Sequence, residues 1–181
     1  MKARMLYGLA GAVALLGAVT TSAAIAEQPM TPSTTTELMM SNSDKAFFEH
    51  AASAGMYEIQ AGKLAQSNAS DPKIKDFASQ MVTDHTKVAD DLKSLAQSKN
   101  VVLPTALSKK DQKMLDALNG KSGKAFDQLY AKQMVASHKE AVSLFDNAAK
   151  HSKDTDVKAF ASKNLPTLQQ HGGMAKDLKK A

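Results

Sequence analysis

Four stretches of the chain repeat apolar residues in alternating steps of three and four, and each puts one metal-capable side chain on its inward stripe. From Asp44 to about Asn68 the stripe reads Phe47, Ala51, Ala54, Glu58, Ala61 and Ala65. From Pro72 to about Ser98 it reads Ile74, Phe77, Met81, His85, Val88, Leu92 and Leu95. The stretch from about Lys124 to Lys150 carries Phe126, Tyr130, Met134, His138, Ala141, Phe145 and Ala148. The last begins at Asp154 or Thr155, with Val157, Phe160 or Ala161, Leu165, Leu168, His171, Ala175 and Leu178. Apolar stripes of this period need a partner surface along their whole length, which predicts an all-α antiparallel four-helix bundle.

Local signals punctuate the stripes. Ser43 is a candidate cap for the first helix. Asp71-Pro72 pairs a capping side chain with a proline at the first helical position, so the break before the second helix is short and the two helices are antiparallel. Residues 99 to 123 form a long connection containing Pro104 and a short extra helix from Lys109 to Leu118, capped by Ser108 with Asp111 three positions on. Gly120 and Gly123 close it, and Gly55 and Gly62 keep one side of the first helix slim. Pro166 lies inside the last stripe, where a ring that removes a backbone bond predicts a kink.

The segment before the bundle reads differently. Lys2 and Arg4 precede an apolar run from Met5 to Val19 and then Ala24-Ile25-Ala26, the layout of a secretory signal over residues 1–26 cleaved after Ala26. That run is too short and too broken by glycine for a membrane span. Residues 27–42, rich in Pro, Thr, Ser and Met, read as a flexible leader, and 43–181 as the bundle domain. The expectation is a periplasmic protein without a stable membrane anchor after cleavage, with association at the outer membrane left open.

With no cysteine in the chain, neither a lipid anchor on Cys nor a disulfide can replace core packing. The net charge of +5 falls near +3 once Lys2 and Arg4 are removed, and no arginine then remains. Lysines interleaved with Asp and Glu, without the forked guanidinium that reads phosphate and guanine, argue against a nucleic-acid partner. The sequence identifies no protein partner. It also lacks a G-x-S-x-G elbow, a cysteine nucleophile and a glycine-rich phosphate loop, so no enzymatic reaction is indicated.

The heights of the four polar groups in the stripes point to a site. At about 1.5 Å per residue, Glu58 and His85 lie about 18 and 20 Å from the turn they share, and His138 and His171 about 18 and 24 Å from theirs. They fall within roughly one helical turn of a common level. Glu58, His85, His138 and His171 are therefore the candidate ligands of one transition-metal ion, since imidazole suits Zn, Cu, Fe and Ni. Asp84 is a candidate outer ligand or a group that orients an imidazole. Met81 and Met134, four residues before His85 and His138, are outer candidates whose soft sulfur favours copper, as does Met174 three after His171. His50 and His151 fall off the inward stripes.

Several runs resemble a known family: Ala54-Gly55-Met56-Tyr57-Glu58, Phe77-Ala78-Ser79-Gln80-Met81-Val82-Thr83-Asp84-His85, Phe126-Asp127-Gln128-Leu129-Tyr130 through His138, and Leu165-Pro166-Thr167-Leu168-Gln169-Gln170-His171. Over about residues 42 to 178 the chain is similar to the bacterial domain of unknown function 4142. The resemblance implies an exported, ferritin-like bundle, in some members labelled an outer-membrane protein, with no assigned activity.

A di-iron carboxylate centre needs a Glu from each of two helices and Glu-x-x-His from each of the other two. Here Val82 stands three before His85 and Leu168 three before His171, so a single Zn or Cu ion is expected rather than di-iron. Two readings stay open: a metal-binding bundle for periplasmic buffering or stress protection, and a non-catalytic envelope module whose buried Glu/His network only fixes helix packing.

Overall fold

The computed structural model describes residues 40–180. The expected signal segment, residues 1–26, and most of the leader lie outside the described residues. Five helices follow in order: α1 (Asn42–Asn68), α2 (Pro72–Ser98), α3 (Lys109–Leu118), α4 (Gly123–His151) and α5 (Thr155–Lys180). No strand occurs among the described residues. None of these helices is long and apolar enough to cross a membrane.

The caps explain most boundaries. Asp71 accepts from the Lys73 backbone N–H and Pro72 opens α2, while the Ser108 hydroxyl accepts from Asp111 N–H at the start of α3. The first helix starts earlier than its sequence signals suggest. Ser41, not Ser43, is the cap, its hydroxyl accepting from Asp44 N–H at 3.1 Å. Asp44 is drawn inward, where it accepts from the Ser152 hydroxyl at 2.7 Å, and this tie across the bundle end favours the earlier cap. Gly120 and Gly123 take positive φ values of 75° and 59°, where a side chain would be strained. Helix α5 continues through Pro166 as one element, so the ring is accommodated without interrupting the helix.

Helix α1 packs beside α2 and α4, and α5 beside α4 and α2. Two apolar clusters fill the interior. One joins the C-terminal half of α1 to the start of α2, the start of α4 and the end of α5, through Tyr57, Phe77, Met81, Phe126, Tyr130, Met134 and Ala175. The other joins the opposite ends of the same helices through Phe47, Phe48, Leu92, Phe145, Phe160 and Leu168. Each neighbouring pair is thus antiparallel, and the 99–122 connection must travel the length of the bundle to start α4 at the far end.

Within the second cluster Phe47 meets Phe145 and Phe160 edge-on, with centroids 5.1 and 6.2 Å apart. Such aromatic pairs add about 0.5–1.5 kcal/mol each beyond the area they bury. The crossover is held at both ends. Lys99 at the end of α2 pairs with Asp154 at 2.8 Å and Asp156 at 2.6 Å, next to the start of α5. Helix α3 docks through Ser53, which accepts from Ser108 N–H at 2.8 Å and donates to Asp111. Beside it, Tyr57 donates to Gln133 Oε1 at 2.9 Å while the Gln133 amide donates to the Met114 carbonyl at 2.9 Å.

One glycine marks the closest approach of α1 and α2. A Cβ on Gly62 would stand 2.8 Å from Val82 Cγ2 and 3.2 Å from the Ala78 carbonyl oxygen, whereas one on Gly55 would meet nothing within 4 Å. Val82 is β-branched and stiff in a helix, and the carbonyl belongs to the backbone, so neither yields easily. Gly62→Ala is expected to destabilise the fold by about 1 kcal/mol, overpacking outweighing the gain in helix propensity. The same substitution at Gly55 is expected to stabilise by up to about 1 kcal/mol. Urea midpoints of the two variants check this, and two shifts of the same sign would contradict the packing described.

Candidate metal centre

A polar layer separates the two apolar clusters. Glu58 comes from α1, His85 from α2, His138 from α4 and His171 from α5, and each is at most 3% exposed. The three imidazole rings form a nearly even triangle, with centroids 5.4 to 5.6 Å apart. One ring nitrogen from each lies within 4.8 Å of the other two.

Each ring has one nitrogen engaged by the protein and one left over. His85 Nδ1 faces Glu58 Oε2 at 3.0 Å, His138 Nδ1 faces the Met134 carbonyl at 2.9 Å, and His171 Nε2 faces Asp84 Oδ2 at 2.9 Å. These partners accept only, so each engaged nitrogen carries a proton, and in the neutral ring the other keeps a lone pair. Those others are His85 Nε2, His138 Nε2 and His171 Nδ1, all buried and without a hydrogen-bond partner among the described residues. A buried polar atom left unpaired costs about 1–3 kcal/mol, and three at one level call for a common explanation.

The donor set fits a transition metal. Zinc binds imidazole nitrogen at about 2.0–2.1 Å, and a protein-engaged second nitrogen is the usual way a ligating ring is fixed in orientation. Three ligands at that distance in tetrahedral geometry would stand about 3.3 Å apart, so nitrogens now within 4.8 Å of one another would close inward on the ion.

Glu58, expected among the ligands, sits elsewhere. Its carboxylate stands behind His85, with one oxygen on His85 Nδ1 and the other accepting from the Ser137 hydroxyl at 2.7 Å. His138 Nδ1 is 3.7 Å from that second oxygen, too far for a hydrogen bond and already committed to Met134. Asp84 reaches across from α2 to His171 on α5 rather than serving its neighbour His85. Met81 and Met134 are fully buried in the cluster below the layer, and Met134 meets His138 through its carbonyl oxygen. His50 and His151 are exposed. Sequence stripes missed Ser137, which lies beside His138 in sequence but turns toward α1.

Burial and charge oppose each other at these groups. Burial raises the Glu58 carboxyl, but the neighbouring His85 and His138 and the hydrogen bonds from His85 and Ser137 override it and bring it down to about 2. Burial lowers His85, yet the Glu58 charge prevails and its pKa is raised. His138 is lowered by burial, and His171 by burial and then by the charge on His85.

The signs give a pH profile for the metal-free protein. His85, with its folded pKa raised, contributes stability that is fully present below about 6.5 and is lost as pH rises through its folded value. His138 and His171, with folded values lowered, make stability fall as pH drops below about 6.5, because the unfolded chain takes up their protons first. Glu58 contributes above its unfolded value and is lost only as pH falls toward 2. Metal-free protein is expected to be most stable near pH 6.5, as read from urea midpoints between pH 5 and 8, and His138→Asn should flatten the acidic limb. A profile that keeps rising toward pH 5 would contradict this assignment.

The interior is nearly closed at this level. A slot of about 20 Å³, room for about one water, reaches Glu58 and His85 between Ala51, Ala54, Gly55, Val88 and Ala89. A larger cavity of about 560 Å³ lies between α1, α3 and α4, with Ser137 in its wall.

Helix order, the long crossover and an inward-facing polar layer define a class: four-helix bundles that carry buried imidazoles at mid-height. The chain belongs to the family described as Domain of unknown function (DUF4142), which matches residues 29–178. No protein of curated function matches it by sequence. Among solved structures it is similar to CopM in the Cu(II)-bound form, with a TM-score of 0.64 and 19% identity over 76% of this chain and 95% of that one. It is also similar to a DUF305 fragment from Deinococcus radiodurans, with a TM-score of 0.67 and 10% identity over 78% of this chain and 99% of that one. A conserved hypothetical protein from Mycobacterium tuberculosis aligns with a TM-score of 0.60 and 16% identity, over 77% of this chain and 92% of that one. At these identities the likeness is one of fold.

Proposed function

We propose that this protein is an exported metal-binding bundle that holds one transition-metal ion per chain through His85, His138 and His171. The observation that carries this reading is the trio of buried imidazole lone pairs, unpaired and gathered at one level. Glu58, the Met134 carbonyl and Asp84 hold the rings from behind and fix which nitrogen of each faces inward. CopM, similar in fold, has been solved in Cu(II)-bound, Cu(I)-bound and Ag-bound forms, which supports the capacity of such a bundle to hold soft or borderline ions. The basic, apolar and Ala24-Ile25-Ala26 segments at the start of the chain support export to the periplasm, where a site of this kind would serve as a metal buffer or in protection against metal stress.

A second reading has its own support. Glu58, His85 and Ser137 form a hydrogen-bonded set lying between two apolar clusters, which would fix the register of the helices in an envelope module without any ion. Elemental analysis of protein purified from the periplasm without a polyhistidine tag separates the two. About one zinc or copper ion per chain, retained through gel filtration, is expected. Less than about a tenth of an ion per chain, unchanged after incubation with excess metal, would leave the packing role alone.

A further inference from the structure

The charges behind the three rings say more about the ion. Among the described residues Glu58, 1% exposed, accepts hydrogen bonds from His85 and Ser137 alone. Among the described residues its ion-pair partners are the imidazoles of His85 and His138, and no lysine reaches it. Asp84 supplies a second carboxylate, through His171. With an ion bound and every ring therefore neutral, two carboxylates stand behind the rings, Glu58 buried and Asp84 one-third exposed. A buried charge left unbalanced, as Glu58 would be here, is costly.

We propose that the centre selects divalent over monovalent ions, and that Glu58, with Asp84 beside it in this role, is the specificity-determining residue. This rests on the metal-binding reading above. A divalent ion on three neutral imidazoles answers both carboxylates, the buried Glu58 and the one-third-exposed Asp84, whereas a monovalent ion matches Glu58 alone and forgoes the attraction of the second. Hydrogen bonds from His85 and His171 pass carboxylate charge to the coordinating nitrogens, which strengthens them as donors toward the more highly charged ion. Glu58 does not touch the ion: it acts through His85 as a positioning residue and sets the charge the site expects.

Zn(II) and Ag(I) make a clean pair of probes, since neither changes oxidation state under ordinary conditions. Both are titrated into metal-free protein, wild type and Glu58→Gln, with competition against a chelator of known affinity. Glutamine keeps the shape and can still accept from His85 while its amide donates to the Ser137 oxygen, so the variant removes charge with little change in packing. Wild-type protein is expected to hold Zn(II) more tightly than Ag(I). Glu58→Gln is expected to weaken Zn(II) about 10–100-fold and to change Ag(I) by less than about threefold. Softness and preferred geometry belong to the ions and are the same in both proteins, so the change in ratio reports charge.

Should Glu58→Gln fail to fold, Asp84→Asn at the part-exposed edge of the layer tests the same asymmetry. Equal weakening of both ions, or tighter Ag(I) than Zn(II) in the wild type, overturns the selectivity while leaving the metal centre standing. Failure of both ions to bind the wild type removes the centre itself, and the selectivity with it.

Discussion

Glu58→Ala is expected to unfold at a temperature on the order of 10 °C below the wild type, a loss of about 3–5 kcal/mol. The side chain is buried in the polar layer and is the acceptor for both His85 Nδ1 and the Ser137 hydroxyl. Truncation strands these two donors where water does not reach freely, and it removes the charge that raises His85. Breaking one side of a buried pair is far costlier than deleting the whole pair. A Glu58→Leu, His85→Leu double variant is therefore expected to recover most of the lost stability, although it should no longer bind metal. Thermal and urea unfolding of both variants provide the check. A loss under about 1 kcal/mol for Glu58→Ala would mean that the carboxylate is not held as described.

The largest expected effect on binding belongs to His138, which is fully buried and whose Nε2 lacks a partner. Removing an outer partner of a ligand weakens metal binding about 10–100-fold, and Asp84→Asn is expected to fall in that range. Removing a ligand itself leaves two imidazoles, too few to close a tetrahedral site, so His138→Ala is expected to exceed that loss and leave no ion on the folded chain after gel filtration. Exposed His50 supplies the control, and His50→Ala should retain the full complement. Circular dichroism of the same samples separates loss of the ion from loss of the fold. Full occupancy in folded His138→Ala protein would sink the three-imidazole centre.

Much of the bundle was legible because its signal is periodic. The stripes around Phe47, Phe77, Phe126 and Val157 differ from their neighbours at every turn, and the caps at Asp71 and Ser108 are local devices that need no tertiary knowledge. Counting residues from the turns also put the three histidines at one level. The start of α1 was not legible, because Ser41 and Ser43 offer equivalent caps and the choice falls to Ser152, more than a hundred residues away. The position of Glu58 was hidden for a related reason. A helical stripe gives height and face, but whether a carboxylate points between three rings or behind one depends on Ser137 of another helix. Likewise Ser53, Asp111, Tyr57, Gln133 and Met114 dock α3 through pairings that leave no local pattern in the sequence.

The centre is divided between two helical hairpins. The first, α1 with α2, brings Glu58, Asp84 and His85, and the second, α4 with α5, brings Ser137, His138 and His171. Neither half owns more than two of the three imidazoles, and the carboxylate behind His171 comes from the other half. A nascent or half-folded chain thus offers no complete chelate to trap an ion prematurely. Only the docked halves do, and an ion captured there would act as a clasp, resisting separation of the very pieces whose meeting created it.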